Sequence, residues 1–155
     1  MTAPAVVALA CKVDVAKMGR IDRGEILYYV QTTKELVRCP ADKTGKIAVV
    51  TAEAVTLYKG QKGEVSVPIS VLGKTEVVLN RRDETGKHTQ KLAADTTTAF
   101  AGQTLYYTLD NSVGGNWCVV ISTTPGGKDP LGTAVHSISN KTNSVDVIVN
   151  FANSA

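Results

Sequence analysis

The side chains that could do acid–base or nucleophilic chemistry are few in this sequence and widely spaced. The 155 residues include two histidines, His88 and His136, and three cysteines, Cys11, Cys39 and Cys118. Neither a His-x-x-x-His nor a Cys-x-x-Cys spacing occurs, so the sequence predicts no metal site. The Gly-x-Ser-x-Gly motif of a nucleophile elbow is also missing. We therefore expect no catalytic residue and no cofactor, and a protein that is not an enzyme.

One short motif resembles a phosphate-binding loop. Gly73-Lys74-Thr75 matches the end of that loop, whose backbone closes around phosphate only when a second glycine stands five residues before the first. Position 68 is proline, and no strand-to-helix pattern surrounds the motif. We interpret Gly73-Lys74 as a hairpin turn between two strands.

The cysteine usage indicates a reducing compartment. Three cysteines are an odd number at scattered positions, and no basic segment precedes the apolar N-terminal stretch as it would in a secretory signal. We therefore expect free thiols. No apolar run reaches the length that a membrane span needs, so we expect no membrane partner.

The chain is mildly basic, with a net charge of +3, and its basic residues are concentrated in the first 91 residues. The densest basic cluster combines Arg81-Arg82 with Lys87 and Lys91 in a charged stretch that we interpret as a long exposed loop or the tip of a hairpin. Proteins that bind nucleic acid on a β surface place aromatic side chains near such charges for base stacking. The nearest Tyr and Phe, Tyr58 and Phe100, are distant in sequence, which argues against a nucleic-acid partner.

Alternation of apolar and polar residues predicts an all-β fold. In the closing segment Val145, Val147, Val149 and Phe151 fall on one face, as in a half-buried strand. About ten such short strands, among them residues 46–51 and 55–58, are separated by frequent turn residues, which is typical of a small β-barrel or a sandwich. Residues 11–19 carry a weak helical signal, which Gly19 would end. Pro68 interrupts one of them and predicts an edge strand or a bulge there. We expect a single β domain over residues 21–155.

The first 20 residues are expected to form an extended N-terminal arm. Residues 2–10 are small and apolar and carry no charge, so they could add as a strand to the open edge of a partner. The alternative is that residues 5–10 are the first strand of the chain's own sheet.

Tyrosines add further candidates for a contact surface. In a strand, the neighbours Tyr28-Tyr29 and Tyr106-Tyr107 must point to opposite faces, so one of each pair can lie at an interface. Together with the apolar arm and the basic pair, they define a candidate interface. Its members are Val6, Val7, Leu9, Tyr28, Arg81, Arg82 and Tyr107.

The closing third of the chain resembles a known family. The order is Gly102-Gln-Thr-Leu-Tyr-Tyr, then Leu131-Gly-Thr-Ala-Val, then Val145-Asp-Val-Ile-Val-Asn-Phe. It is similar to the end of the head decoration, or capsid cement, proteins of tailed bacteriophages. The middle of the chain, residues 46–80, resembles the same family in its hydrophobic rhythm and glycine placement. The first 45 residues and residues 80–95 depart from the family pattern.

The resemblance implies a fold, a role and partners. Such a protein has a β-tulip or small-barrel fold and assembles as a homotrimer on the outer surface of the capsid. There it binds between major capsid protein subunits and stabilises the shell of the virion, after being made in the host cytoplasm. Two alternatives stay open at this point. One is another phage structural β protein, such as a tail-tube or minor capsid component, and the other is a ligand-binding β-sandwich module.

Overall fold

The protein is almost entirely β, which confirms the all-β fold expected from the alternation. The computed structural model describes residues 5–58, 64–96, 98–113, 115–139 and 141–151. These ranges contain 13 strands and one short helix, α1 (Val15–Met18). The strands are β1 (Ala5–Lys12), β2 (Ile26–Val30), β3 (Glu35–Val37), β4 (Lys46–Thr51), β5 (Glu64–Val78), β6 (Asn80–Arg82), β7 (His88–Leu92), β8 (Thr98–Ala99), β9 (Thr104–Val113), β10 (Asn116–Ser122), β11 (Asp129–Ala134), β12 (Ile138–Ser139) and β13 (Ser144–Asn150).

Five strands close into a barrel. Their order is β1-β3-β2-β4-β5, and β5 pairs again with β1 to complete the circle. The β1–β5 ladder is antiparallel and continuous from Val6 to Lys12. The junction between β1 and β3, by contrast, is a single parallel pair, Lys12 with Glu35. The barrel is therefore well hydrogen-bonded on one side of β1 and barely closed on the other.

The remaining long strands extend the barrel into a second layer, here called the outer sheet. From β5 the order continues β13-β11-β9-β10-β7-β6. A separate two-stranded sheet pairs β8 with β12. The outer sheet covers one side of the barrel wall, so that side is buried on both of its faces.

A single strand, β5, belongs to both layers. Its first half pairs with β1 in the barrel, and its second half, from Leu72 to Val78, pairs with β13 in the outer sheet. Gly73, with a φ of 96°, lies where the strand passes from one layer to the other. The turn expected at Gly73-Lys74 is therefore wrong, because the positive φ of the glycine bends the strand without ending it.

Pro68 lies inside this strand, in the barrel rather than at an edge. The carbonyl of Pro68 accepts a hydrogen bond from Ala52 N, just beyond the end of β4. The backbone N–H and C=O of one strand residue point to the same side of the strand. The nitrogen of Pro68, which carries no hydrogen, therefore also faces Ala52, just beyond the last residue of β4. Proline is tolerated there because no ladder bond is lost.

Two apolar cores share the barrel wall. The barrel interior is filled by one set of side chains, and the space between the wall and the outer sheet by the other. Successive residues of β2 alternate between them: Leu27 points into the barrel, and Ile26 and Tyr28 point toward the outer sheet. The buried side chains of the barrel interior are Cys11, Met18, Ile21, Leu27, Leu36, Val49 and Val67.

The N-terminal segment belongs to the chain's own barrel over the described residues. Ala5–Lys12 is strand β1, which corresponds to the alternative of a first strand and not to a free arm. The leucine and the cysteine of this strand, Leu9 and Cys11, pack into the barrel, and that burial holds the strand in place.

Two local expectations meet different outcomes. Helix α1 coincides with the weak helical signal of residues 11–19, because the Asp14 side chain caps its N-terminus and Gly19, at a φ of 63°, ends it. The strand expected over residues 55–58 is wrong, because no strand is formed there in the described part of the chain and Val55 instead makes an isolated bridge to Ile21. In the described ranges, no helix is long and apolar enough to cross a membrane.

Candidate binding surfaces

A buried cluster of charged side chains joins the barrel to the far end of the outer sheet. Arg81 of β6 places its Nε 2.7 Å from Asp22 Oδ2 and 3.2 Å from Glu25 Oε1. Arg38, which follows β3, binds the same glutamate, with its Nε 2.8 Å from Oε1. Both arginines and Glu25 are at least nine-tenths excluded from solvent. We call Asp22, Glu25, Arg38 and Arg81 the charged cluster.

The guanidinium donors of the charged cluster are occupied from within the protein. Arg81 also donates to Thr89 Oγ1 and to the carbonyl of Arg20. Arg38 donates to the carbonyls of Met18 and Arg20 as well as to both oxygens of Glu25. Because every nitrogen of the two groups has an acceptor inside the fold, the cluster acts as a structural link between layers.

Asp22, the acid beside Arg81, is held in its charged form by arginine contacts. Burial alone would raise the pKa of Asp22, but hydrogen bonds from Arg81 and Arg20 outweigh that effect and hold the pKa below its ordinary value. Asp22 therefore carries a full negative charge near neutral pH, as a partner of two arginines requires.

A glutamine and a glycine fix the chain at the start of β2. Gln90 is buried, and its amide donates to the carbonyls of Gly24 and Val78 while its Oε1 accepts from Ile26 N at 2.8 Å. Gly24 has a φ of 82°, and a Cβ there would lie 2.8 Å from the carbonyl oxygen of Glu76. Only glycine allows the two layers to approach this closely.

A cleft of about 430 Å³ opens beside the charged cluster. It lies between α1, the β6–β7 hairpin and the start of β10, and Lys17, Lys87, His88 and Trp117 are among its lining residues. Nδ1 of His88 is buried there without a hydrogen-bond partner among the described residues. Burial and the neighbouring Arg82 and Lys91 lower the pKa of His88, so the imidazole is neutral near pH 7.

The thiols are not arranged as nucleophiles. Burial raises the pKa of Cys39 to about 12 and that of Cys118 to about 11, so both stay protonated at neutral pH. The Cys39 thiol donates to the carbonyl of Thr89 at 3.1 Å. Cys11 lies in the barrel interior, where burial raises its pKa to about 11. Among the described residues, no group of three or more His, Cys, Asp or Glu side chains could hold a metal ion.

Three members of the candidate interface lie in the interior, so their assignment as contact residues is wrong. Tyr28 and Tyr107 are 2% and 7% exposed and pack in the core between the two layers. Arg81 is 6% exposed and belongs to the charged cluster. The tyrosines are buried because the outer sheet covers the barrel wall, and Arg81 because its charge is neutralised by distant acids.

The other four members lie at or near the surface. Val6 and Val7 are 53% and 46% exposed, and Leu9 is half-buried against the barrel core. Arg82 is exposed and donates to the carbonyl of Gly86 within its own hairpin. The structure thus places Val6 and Val7 side by side on β1. In β6 the side chains of Arg81 and Arg82 point to opposite faces, so only Arg82 reaches the surface.

The exposure of several apolar side chains was not predicted from the sequence. Phe100 and Ile148 are more than half exposed. The position of Ile148 was detectable, because it falls on the polar face of the closing strand, between Asp146 and Asn150. Phe100 offered no such signal, since it precedes a turn. In the part of the chain that the structure describes, the exposed large apolar side chains are Val6, Val7, Ile47, Tyr58, Phe100 and Ile148.

No protein-family model matches the sequence, and no curated protein matches it.

Proposed function

We propose that this chain is a structural protein of a tailed bacteriophage that binds the outer surface of the capsid and reinforces the contacts between major capsid subunits. In this role the chain is made in the host cytoplasm, binds the shell as a trimer and needs no cofactor or catalytic residue. The proposal starts from the sequence resemblance in the closing third and middle of the chain.

The observation that carries the proposal is the arrangement of the segments that resemble the family. The three segments of the closing third lie in β9, β11 and β13, and these strands are direct neighbours in the outer sheet. Segments that are separate in sequence but adjacent in a sheet form one structural unit. The resemblance therefore concerns a contiguous surface and not three unrelated strands.

The exposed apolar side chains support a macromolecular partner. Phe100 and Ile148 lie on different parts of the outer sheet region, and Val6 and Val7 lie on the barrel. A small ligand is usually enclosed in a concave pocket, whereas exposed apolar side chains spread over several parts of a surface suit a large partner. The main cleft is less suited to an anionic ligand, because the guanidinium donors of Arg38 and Arg81 are occupied.

The test uses capsids assembled from the major capsid protein encoded beside this chain in its source genome. Purified protein is mixed with these particles and sedimented. We expect the chain to co-sediment to saturation and to raise the temperature at which the particles lose integrity. A saturation ratio in multiples of three per group of neighbouring subunits is expected for the trimer.

Failure to co-sediment at saturating concentration would contradict the proposal. A matched pair of variants adds specificity. Phe100→Ser and Ile148→Thr each remove an exposed apolar side chain without touching a core, so they leave folding intact. We expect at least one of them to weaken capsid binding by tenfold or more, and equal binding by both variants and the unmodified protein would count against these two surfaces.

A further inference from the structure

The cleft of about 430 Å³ beside the charged cluster is lined by segments that are far apart in sequence. Helix α1 and its C-terminal cap Gly19 line one side, the β6–β7 hairpin lines the second, and Trp117 at the start of β10 lines the third. The hairpin comes close to the helix, since Oε1 of Glu84 lies 3.5 Å from the position that a Cβ at Gly19 would occupy. The volume is within the range that is typical of small-ligand sites.

Trp117 supplies the cleft with an aromatic surface. It is the single tryptophan of the chain and is only partly buried. The β9–β10 ladder is irregular at this point, because between the pairs Asn116–Val113 and Cys118–Asp110 strand β9 has one residue more than β10. Such a bulge bends the strands and redirects side chains, and bulges are common beside binding sites.

Polar groups without partners line the same cleft. Within the described part of the chain, neither the indole N–H of Trp117 nor the carboxylate of Glu84 takes part in a hydrogen bond or an ion pair. Nδ1 of His88 is buried without a partner as well. Buried polar atoms in folded proteins are rarely left unpaired, and an exception indicates a group outside the chain that completes the hydrogen bonds. The cleft therefore offers a donor, an acceptor and an imidazole beside one aromatic ring.

We propose that this cleft binds a neutral saccharide, with one sugar ring on the face of Trp117 and its hydroxyls hydrogen-bonded to the carboxylate of Glu84 and the imidazole of His88. A sugar ring combines an apolar C–H face with hydroxyls that both donate and accept, which matches an aromatic ring flanked by unpaired polar groups. The inference goes beyond the proposed function, because the cleft is separate from Phe100 and Ile148 and its occupation does not depend on capsid binding.

The charges around the cleft favour a neutral ligand. The guanidinium donors of Arg38 and Arg81 are occupied within the fold, and Glu84 repels an anion. A cation would in turn meet Lys87 and the two guanidinium groups. A purely apolar ligand would cover Glu84 and His88 without giving them hydrogen bonds, which is costly. A neutral molecule rich in hydroxyl groups avoids all of these penalties.

The test uses the fluorescence of Trp117, which reports on this cleft alone because the chain has no second tryptophan. The purified protein is titrated with neutral oligosaccharides of glucose, galactose, mannose and N-acetylglucosamine, each up to the millimolar range. We expect at least one of them to change the emission saturably. The absence of a saturable change with every one of them overturns the inference.

Variants assign the binding to the cleft, with calorimetry as the second readout. Trp117→Ala removes the aromatic surface and is expected to weaken binding by tenfold or more. Glu84→Gln keeps the size of the side chain but removes the charged acceptor, so we expect a loss of about tenfold. Glu53→Gln makes the same chemical change at an exposed position outside the cleft and should bind like the unmodified protein. Thermal unfolding of each variant checks the fold.

Two further ligands separate a saccharide site from other kinds of site. Inorganic phosphate probes for an anion site, and adenosine probes for stacking of any flat ring on Trp117. Tighter binding of either one than of every neutral oligosaccharide overturns the inference, as does unchanged saccharide binding by a folded Trp117→Ala protein. These titrations contain no capsids, so a negative result leaves the proposed function standing, and failure to co-sediment with capsids leaves the saccharide site standing.

Discussion

The Nε atom of Arg81 lies 3.2 Å from Oε1 of Glu25, and both side chains are almost completely excluded from solvent. Glu25 stands at the entrance to the barrel strand β2, and Arg81 lies in β6, the last strand of the outer sheet. Their ion pair therefore connects the barrel to the last strand of the outer sheet. A buried charge of this kind is stable only while its partner is present.

The first prediction compares two neighbouring arginines. Arg81→Ala leaves Glu25 with only Arg38 and removes a partner of Asp22, so we expect the free energy of unfolding to fall by about 3–5 kcal/mol. Arg82→Ala removes an exposed side chain and is expected to change it by less than about 0.5 kcal/mol. Urea denaturation of the two variants measures both values. Equal losses would show that the charged cluster does not link the layers.

The second prediction concerns the two faces of β13. Val147 is fully buried, whereas Asp146 is partly exposed and pairs with His136 at 3.0 Å. Val147→Asp buries an unpaired charge, and we expect a loss of about 3–5 kcal/mol. Asp146→Ser is expected to stay within about 1 kcal/mol. Thermal unfolding followed by circular dichroism gives the comparison, and similar melting temperatures would mean that the faces are assigned the wrong way round.

The third prediction concerns acid stability. The folded-state pKa of Asp22 is below its ordinary value, so the unfolded chain binds its proton more readily than the folded one. The stabilisation is present above the unfolded pKa and is lost as the pH falls through the folded pKa, from about pH 5 downward. Asp22→Asn should be less stable at neutral pH and should lose less stability on acidification. Unfolding free energies from pH 7 to pH 3 test this, and identical slopes for the two proteins would contradict it.

The fourth prediction uses two glycines with similar backbone angles. Gly24 and Gly86 have φ values of 82° and 89°, but a Cβ meets the backbone of Glu76 only at Gly24 and open space at Gly86. Gly86→Ala is expected to cost about 1–2 kcal/mol for the left-handed conformation alone. Gly24→Ala should cost roughly 1–3 kcal/mol more because the layers must separate. Chemical denaturation of both variants isolates the clash, and equal costs would argue against close packing at Gly24.

The fifth prediction concerns strand β1. Deletion of residues 2–10 removes most of the β1–β5 ladder and exposes the barrel interior beside Val67 and Ile69. We expect a general loss of stability, with a fall in melting temperature well above 10 °C or failure to fold. A detachable arm would instead leave the melting temperature nearly unchanged, so differential scanning calorimetry of the truncated chain decides between the two.

The strands that alternate cleanly were predictable from sequence. Val145, Val147 and Val149 are buried as the period of two indicates, because β13 has one apolar face packed on the core. The predicted strand at Lys46–Thr51 agrees with β4 for the same local reason.

The misassigned contact residues depended on contacts that are distant in sequence. Tyr28 lies on a strand that is covered on both faces, and nothing near it in the sequence indicates the second layer. The charged sequence around Arg81 indicated a solvated side chain. The acids that pair with it, Asp22 and Glu25, precede the barrel strand β2 and are more than 50 residues away in sequence. The sequence around Gly73 predicted a turn because glycine, which readily takes a positive φ, occurs both in hairpin turns and at bends inside long strands.

The shared strand β5 has a consequence for how the protein unfolds. Since one half of the strand supports the barrel core and the other half supports the core beneath the outer sheet, neither core can lose its strand without exposing the other. The chain is thus a single cooperative unit despite its two layers, and partly unfolded states with one intact core are suppressed. If a mechanical force pulled the outer sheet away, the barrel would unfold at the same time, because both contain β5.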